Sequence, residues 1–203
     1  MRIIREFEQK RMPWKNGGGE TFEIGIAPDH SSLDTFDWRI SRARIDRSGP
    51  FSPFPGIDRT IAAVDGEGIL LCFENTPPVA LTPADPPLSF AGERPAECEL
   101  IKGTATDLNV MTLRGRYHHR LTVLADSGPV EISAGPHQTV AIVAAGSANL
   151  RTRAGDILLS DGDAILLSGA DGIASVTPGR GSRLFLIEIS PLGSEGGPTK
   201  QPL

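Results

Sequence analysis

"TIAAVDGEGILLCF" (residues 60–73) and "TVAIVAAGSANLRT" (residues 139–152) repeat one pattern in the two halves of the chain. Each has a β-branched run, a tight turn containing glycine, and a second run. β-branched side chains suit a pleated, half-buried surface, and glycine supplies the dihedrals a tight corner needs. Each copy is followed by two more short runs, "VALTPADPPLSFAG" (79–92) in the first half and "AGDILLSDGDAILLSG" (154–169) in the second. The Gly-Asp corners of the latter suit hairpins. Self-similarity on this scale marks one supersecondary unit used twice.

The same grammar extends outward. "TFEIGIA", "WRISRARI", "ECELIKG", "DLNVMTL", "RLTVLA", "PVEISA", "IASVTP" and "RLFLIEIS" are further short apolar or alternating runs, separated by the chain's 23 glycines and 17 prolines. Few segments suit a helix longer than three turns, so an all-β sandwich or barrel is expected. The proline-heavy stretch 74–97 belongs in loops and an edge strand, where a missing N–H does no harm. Two similar β modules packed face to face follow, over residues 1–115 and 116–192. The tail "GSEGGPTKQPL" (193–203) buries nothing and is expected to be disordered.

Composition removes several classes. At 39% hydrophobic, the 203 residues can bury a core but contain no apolar run of spanning length. The opening "MRIIREFEQKRMPW" mixes charge with apolar residues and is no signal peptide, so a cytoplasmic location is expected. Net charge is −5 without a basic run, which argues against nucleic acid as a partner. Cys72 and Cys98 form no CxxC pair and are expected to be reduced core residues. Five arginines nevertheless fall close together: Arg39, Arg42, Arg44, Arg47 and Arg59. Such a cluster serves a small anion or decorates a sheet face, and decoration is the expectation for Arg42, Arg44 and Arg47.

The spaced glycine, leucine, aspartate and "FAG" pattern resembles the cupin superfamily, which implies a bicupin: two double-stranded β-helix (jelly-roll-like) barrels packed together. Metal-dependent cupins hold their ion with an HxH pair, a glutamate and a distant histidine. Here the equivalent stretch, "GPFSPFPGIDRTIAAVDGEG" (49–68), has no histidine. His30, His118, His119 and His137 are not spaced to share an ion, since adjacent His118 and His119 face opposite sides of a strand. A metal-independent protein without a cofactor is expected. No GxSxG appears, and "NGGG" lacks the Lys-Ser/Thr of a phosphate-binding loop. His118 and His119 are expected on the surface or between the modules.

"MPWKNGGGETFEI" (12–24), "FDWRISRARI" (36–45), "SGPFSPFPGIDRTIAAVDGEG" (48–68), "FAGE" (90–93) and "GTATDLNVMTLRG" (103–115) occur in that order. Together they resemble the HutD/Ves family of bacterial bicupins. Two departures are Gly92–Glu93, where the family shows Gly-Asp, and the basic Arg42 and Arg44. The resemblance implies a cytoplasmic regulatory protein, linked in part of the family to histidine utilisation, that binds a small carboxylate such as N-formylglutamate.

Alternation sorts the candidates. Arg39, Ser41 and Ala43 share one face of their strand, and Asp107, Asn109, Met111 and Leu113 share one face of theirs. A buried Arg39 must bind an anion or pair internally, for example with Asp107. Arg59 and Ser52 lie where metal cupins keep their first ligands, so an anion site in place of a metal is expected; the alternative for Arg59 is a rim ion pair. Asn16 and Thr21 offer neutral polar groups, or else cap a turn and sit on a strand. Asp107 and Asn109 either contact a ligand amide or form a satisfied polar cluster. The expected ligand set is thus Asn16, Thr21, Arg39, Ser41, Ser52, Arg59, Asp107 and Asn109. Two other functions stay open: a metal-independent isomerase or hydrolase with Asp107 or Glu23 as general base, and a structural partner protein. A homodimer through a sheet is compatible with either.

Overall fold

The computed structural model describes residues 1–125, 127–153, 155–169 and 171–193. Apart from Gly193, the tail expected to be disordered lies outside the described residues. In chain order the first strands are β1 (Arg2–Ile4), β2 (Lys10–Pro13), β3 (Gly19–Ala27), β4 (Trp38–Ile45), β5 (Gly49–Pro50), β6 (Ile57–Asp65), β7 (Ile69–Phe73), β8 (Val79–Leu81), β9 (Leu88–Ala91), β10 (Ala96–Leu100) and β11 (Ala105–Leu113). They are followed by β12 (Tyr117–Ala125), β13 (Val130–Ser133), β14 (Thr139–Ala145), β15 (Ala148–Thr152), β16 (Gly155–Leu159), β17 (Ala164–Ser168), β18 (Ile173–Pro178) and β19 (Arg183–Pro191). Among the described residues the only helical element is a 3-10 turn over Glu6–Glu8, and no helix is long and apolar enough to cross a membrane.

Four antiparallel sheets result: β2-β3-β4-β11-β6-β9, β5-β10-β7-β8, β1-β17-β14-β19-β12 and β13-β18-β15-β16. The order β4-β11-β6-β9 beside β5-β10-β7-β8 recurs as β12-β19-β14-β17 beside β13-β18-β15-β16. The two quoted repeats are β6 turning into β7 and β14 turning into β15, each time crossing from one sheet to the other. At the first corner Gly66 has φ +85°, and a Cβ there would lie 2.4 Å from the carbonyl oxygen of Thr104. Only glycine fits so close a backbone. The proline-rich stretch supplies β8 and β9, both edge strands as expected.

Three apolar clusters stack the sheets. Ile45, Ile61, Leu71, Leu81 and Cys98 join the six-stranded sheet to β5-β10-β7-β8. Ile40, Val64, Leu108 and Val110 join it on its other face to Val143, Phe185 and Ile187 of the five-stranded sheet. Ile142, Leu150, Ile165 and Leu184 fill the space between the last two sheets. β6 therefore sends Ile61 and Ala63 one way and Ala62 and Val64 the other. A strand buried on both faces reads as a continuous apolar run rather than an alternating one, which explains "TIAAV".

Three features differ from expectation. The strands β1, β2 and β5 are too short to register as apolar runs, and β1 joins β17 at the far end of the chain, Ile4 opposite Ala164. Cys98 is a core residue, but Cys72 falls on the outer face of β7 and is only half-buried. Arg42 is not surface decoration: it is 6% exposed and lies against the backbone of Gly162 in the β16–β17 turn, with Glu6 at 3.4 Å. Burial holds its pKa below the usual guanidinium value, against the charges of Asp161, Glu6 and Asp163. Arg44 and Arg47 are exposed, as expected.

Candidate functional site

The face of the six-stranded sheet that meets β5-β10-β7-β8 carries, beside its apolar contacts, polar residues in rows. Cα pairing sets Arg39, Met111 and Arg59 side by side across β4, β11 and β6, then Ser41, Asn109 and Ile61, then Ala43, Asp107 and Ala63. β3 extends the lower rows with Thr21 opposite Ala43 and Glu23 opposite Ser41, before a bulge shifts its register. Strand periodicity puts every second residue on one face, so the alternation in "WRISRARI" and "TDLNVMTL" builds this wall directly.

The wall lines a cavity of about 530 Å³, and all eight expected residues border it: Asn16, Thr21, Arg39, Ser41, Ser52, Arg59, Asp107 and Asn109. Five of them are almost wholly buried: Arg39 at 5%, Ser41 at 2%, Arg59 at 5%, Asp107 at 2% and Asn109 at 4% exposed. Asn16 and Ser52 sit at the exposed mouth, with Lys15 and Leu33 beside them.

The two buried arginines are held differently. Arg39 Nε donates to Glu23 Oε2 at 2.9 Å, so its internal partner is Glu23 and not Asp107. Arg59 Nε donates to Asn109 Oδ1 at 2.8 Å, and among the described residues Arg59 makes no ion pair. It is no rim residue. Its guanidinium lies 4.7 Å from the Phe51 ring centre and 5.3 Å from that of Phe90. Cation–π contacts of this kind hold a guanidinium without neutralising it. Burial lowers the Arg59 pKa to about 10, with the Asp107 charge opposing and that of Arg39 adding to the effect.

Asn109 is the hinge of the network, since its Nδ2 donates to Asp107 Oδ1 at 2.6 Å. The other carboxyl oxygen, Asp107 Oδ2, is buried without a hydrogen-bond partner among the described residues. Burial raises the Asp107 pKa to about 7; the Arg59 charge, the Ala43 backbone and the Asn109 amide pull it back only in part. A carboxyl group poised near neutrality on a cavity wall can hold or release a proton at ordinary pH.

The mouth is built by "PWKNGGGE". Asn16 Oδ1 accepts from the Gly18 amide at 2.9 Å, closing the turn, while the residue still borders the cavity. Thr21 Oγ1 accepts from the Trp14 indole at 2.8 Å, fixing the ring over the opening. The glycine row serves the fold: a Cβ on Gly19 would lie 2.2 Å from the Arg44 carbonyl oxygen. The close approach is to a neighbouring strand, not to a ligand.

Other residues shaping the site were given a different role in the sequence, or none. Glu23 was weighed only as a base, yet it is the Arg39 counterion. Phe51 and Phe90 clamp Arg59, and the aromatic run "PFSPFPG" was the available signal. Glu93, at one departure from the family pattern, binds Arg114 at 2.6 Å, which also binds Asp58 at 2.6 Å, bracing a surface corner. His118 is exposed, whereas His119 lies between the sheets, its Nδ1 2.8 Å from Thr112 Oγ1 and its Nε2 2.7 Å from Thr60 Oγ1. Among the described residues no three of His, Cys, Asp and Glu come together in a metal-binding arrangement.

The family model HutD matches residues 6–185. This chain belongs to the HutD family. HutD from Pseudomonas fluorescens SBW25 (formate condition) shares the fold with a TM-score of 0.80 and 32% identity, over 95% of this chain and 99% of that one. An uncharacterised 21.2 kDa protein in the hutC 3' region of Pseudomonas putida is 40% identical over 60% of this chain, and Protein Ves of Cronobacter sakazakii is 37% identical over 58%. The matches span 63% and 65% of those two relatives' lengths. A cupin 2 conserved barrel domain protein from Leptotrichia buccalis, at 10% identity and a TM-score of 0.54, shares the fold alone. The HutD-family fold is thus cupin-like.

Proposed function

We propose that this protein is a bicupin whose first barrel binds a small carboxylate, and that it works as a cytoplasmic sensor or regulator in histidine utilisation. N-formylglutamate or a related intermediate is the ligand. The observation that carries the reading is Arg59: a buried guanidinium, clamped by two rings and a neutral amide, with no carboxylate of its own. A buried charge left unpaired is costly, and an incoming carboxylate would relieve that cost while matching the planar fork. In this reading Arg59 takes the carboxylate, with Arg39 as a second cationic wall. Asn16, Thr21, Ser41, Ser52, Asp107 and Asn109 supply polar contacts around the amide or formyl group. The recurrence of one eight-strand order supports two barrels, and the Pseudomonas putida relative in the hutC 3' region supports the pathway.

Calorimetry with N-formylglutamate, beside urocanate, glutamate and histidine, tests the proposal. Saturable binding of one of them, lost in Arg59→Ala, is the expected result. No heat from any of the four sinks the histidine-pathway assignment. A second reading, a metal-independent isomerase or hydrolase, is favoured by one observation: Asp107 faces the cavity with its pKa near 7, as a general base should. Glu23 is committed to Arg39 and drops out as that base. Product in the same mixtures would move the enzyme reading to first place.

A further inference from the structure

The charges around the cavity do not balance if a carboxylate arrives while Asp107 is ionised. Arg39 is neutralised by Glu23 at 2.9 Å. Arg59 would be neutralised by the ligand, leaving an Asp107 anion almost fully buried two hydrogen bonds away, through Asn109. Like charges so placed at a buried site do not both persist. One oxygen can take the proton. Oδ1 already accepts from Asn109, whereas Oδ2 is buried on the cavity wall with nothing to bond. An O–H there needs an acceptor, and an anionic oxygen held at Arg59 is one.

We infer that Asp107 joins the ligand contacts as a neutral carboxylic acid, donating from Oδ2 to a ligand oxygen, so that binding draws one proton from solvent. The inference rests on the carboxylate-binding reading above. The proton adds to Oδ2, the solvent or buffer loses it, and no covalent bond of the ligand changes. The charged and titratable groups facing Asp107 are Arg59 from β6, Arg39 with its Glu23 from β4 and β3, and the Cys98 thiol from β10. Burial holds Cys98 up at about 12 and Arg59 at about 10. Neither exchanges a proton near neutrality. Asp107, at about 7, does. A bound anion removes the stabilising effect of Arg59 and pushes it higher still.

Titration calorimetry of the full chain with N-formylglutamate and with succinate, in buffers of different ionisation heat, reads the proton directly. Uptake of about one proton per site is expected near pH 8, falling to about zero near pH 5.5, with affinity dropping about tenfold from pH 8 to pH 9. Asp107→Asn, an isostere of the neutral acid, should bind without proton uptake and without that pH dependence. Saturable binding with no uptake at pH 8 overturns the inference and leaves carboxylate binding intact. Absence of binding by either probe at any pH overturns both. The wild-type series decides the matter even if the variant does not fold.

Discussion

At the scale of single residues, Asn109 does the most with the least chemistry. Its amide accepts from Arg59 and donates to Asp107, so one neutral side chain keeps a cation and a carboxyl group apart yet linked. Asn109→Leu keeps the volume and removes both bonds, leaving a buried guanidinium without an acceptor. A loss of about 2–3 kcal/mol in urea denaturation is expected, on the scale of hydrogen bonds to charged groups. A loss under about 0.5 kcal/mol would mean that Arg59 finds water instead. Much at this scale was legible in the sequence. The faces of Arg39, Ser41, Asp107 and Asn109 follow from period two alone. Their partners were hidden, because a partner depends on register between strands. Glu23 reaches Arg39 diagonally, from its place opposite Ser41, and Arg42 is buried where a turn more than a hundred positions later lies against it.

Among the elements, one of the shortest strands is barely legible and yet among the most consequential. β1 contributes three residues, too few to show a period, yet Ile4 is 7% exposed and belongs to the cluster between the two inner sheets. Just after it, Arg5 binds Asp163 at 2.7 Å, and the Glu6 amide donates to the same carboxylate. Gln9 Nε2 donates to the Gly162 carbonyl at 2.7 Å. The segment is thus a strap across the β16–β17 turn. Ile4→Ala should cost about 2–4 kcal/mol, the range for truncating a buried aliphatic side chain, measured by thermal or chemical unfolding. A cost below about 1 kcal/mol would show that the strap frays away from the sheet. By contrast the passage from β6 into β7 and from β14 into β15 was readable, since a repeat supplies two looks at one pattern, although β6 begins at Ile57, three residues before the repeat does.

For the whole molecule, two buried groups pull stability in opposite directions with pH. Burial lowers the His119 pKa to about 4, with His118 adding to the effect and Asp58 opposing it. The unfolded chain takes up that proton near 6.5, so protonation favours unfolding. The contribution of His119 is therefore complete above about pH 6.5 and is lost as pH falls towards 4. Asp107 is the reverse. Its raised pKa of about 7 makes its contribution present below the ordinary carboxylate value and lost as pH rises towards 7. The wild-type profile is flattened by their opposition, and variants separate them. The stability gap between wild type and His119→Gln should narrow from pH 7 to pH 4, by an amount on the order of 2–3 kcal/mol. A gap independent of pH would show that the imidazole is not held neutral between Thr60 and Thr112.

The pairing of β1 with β17 also sets an order of events. A ribosome delivers Arg2–Ile4 well over a hundred residues before their partners Ala164–Leu166. Until the second half is made β1 has no partner strand to join, and the apolar face around Val64, Leu108 and Val110 has no opposing layer to cover it. Long-range pairings of this kind are slow to close and leave edges exposed meanwhile. Vectorial synthesis therefore cannot finish the first half on its own: β1 is made long before it can find its place.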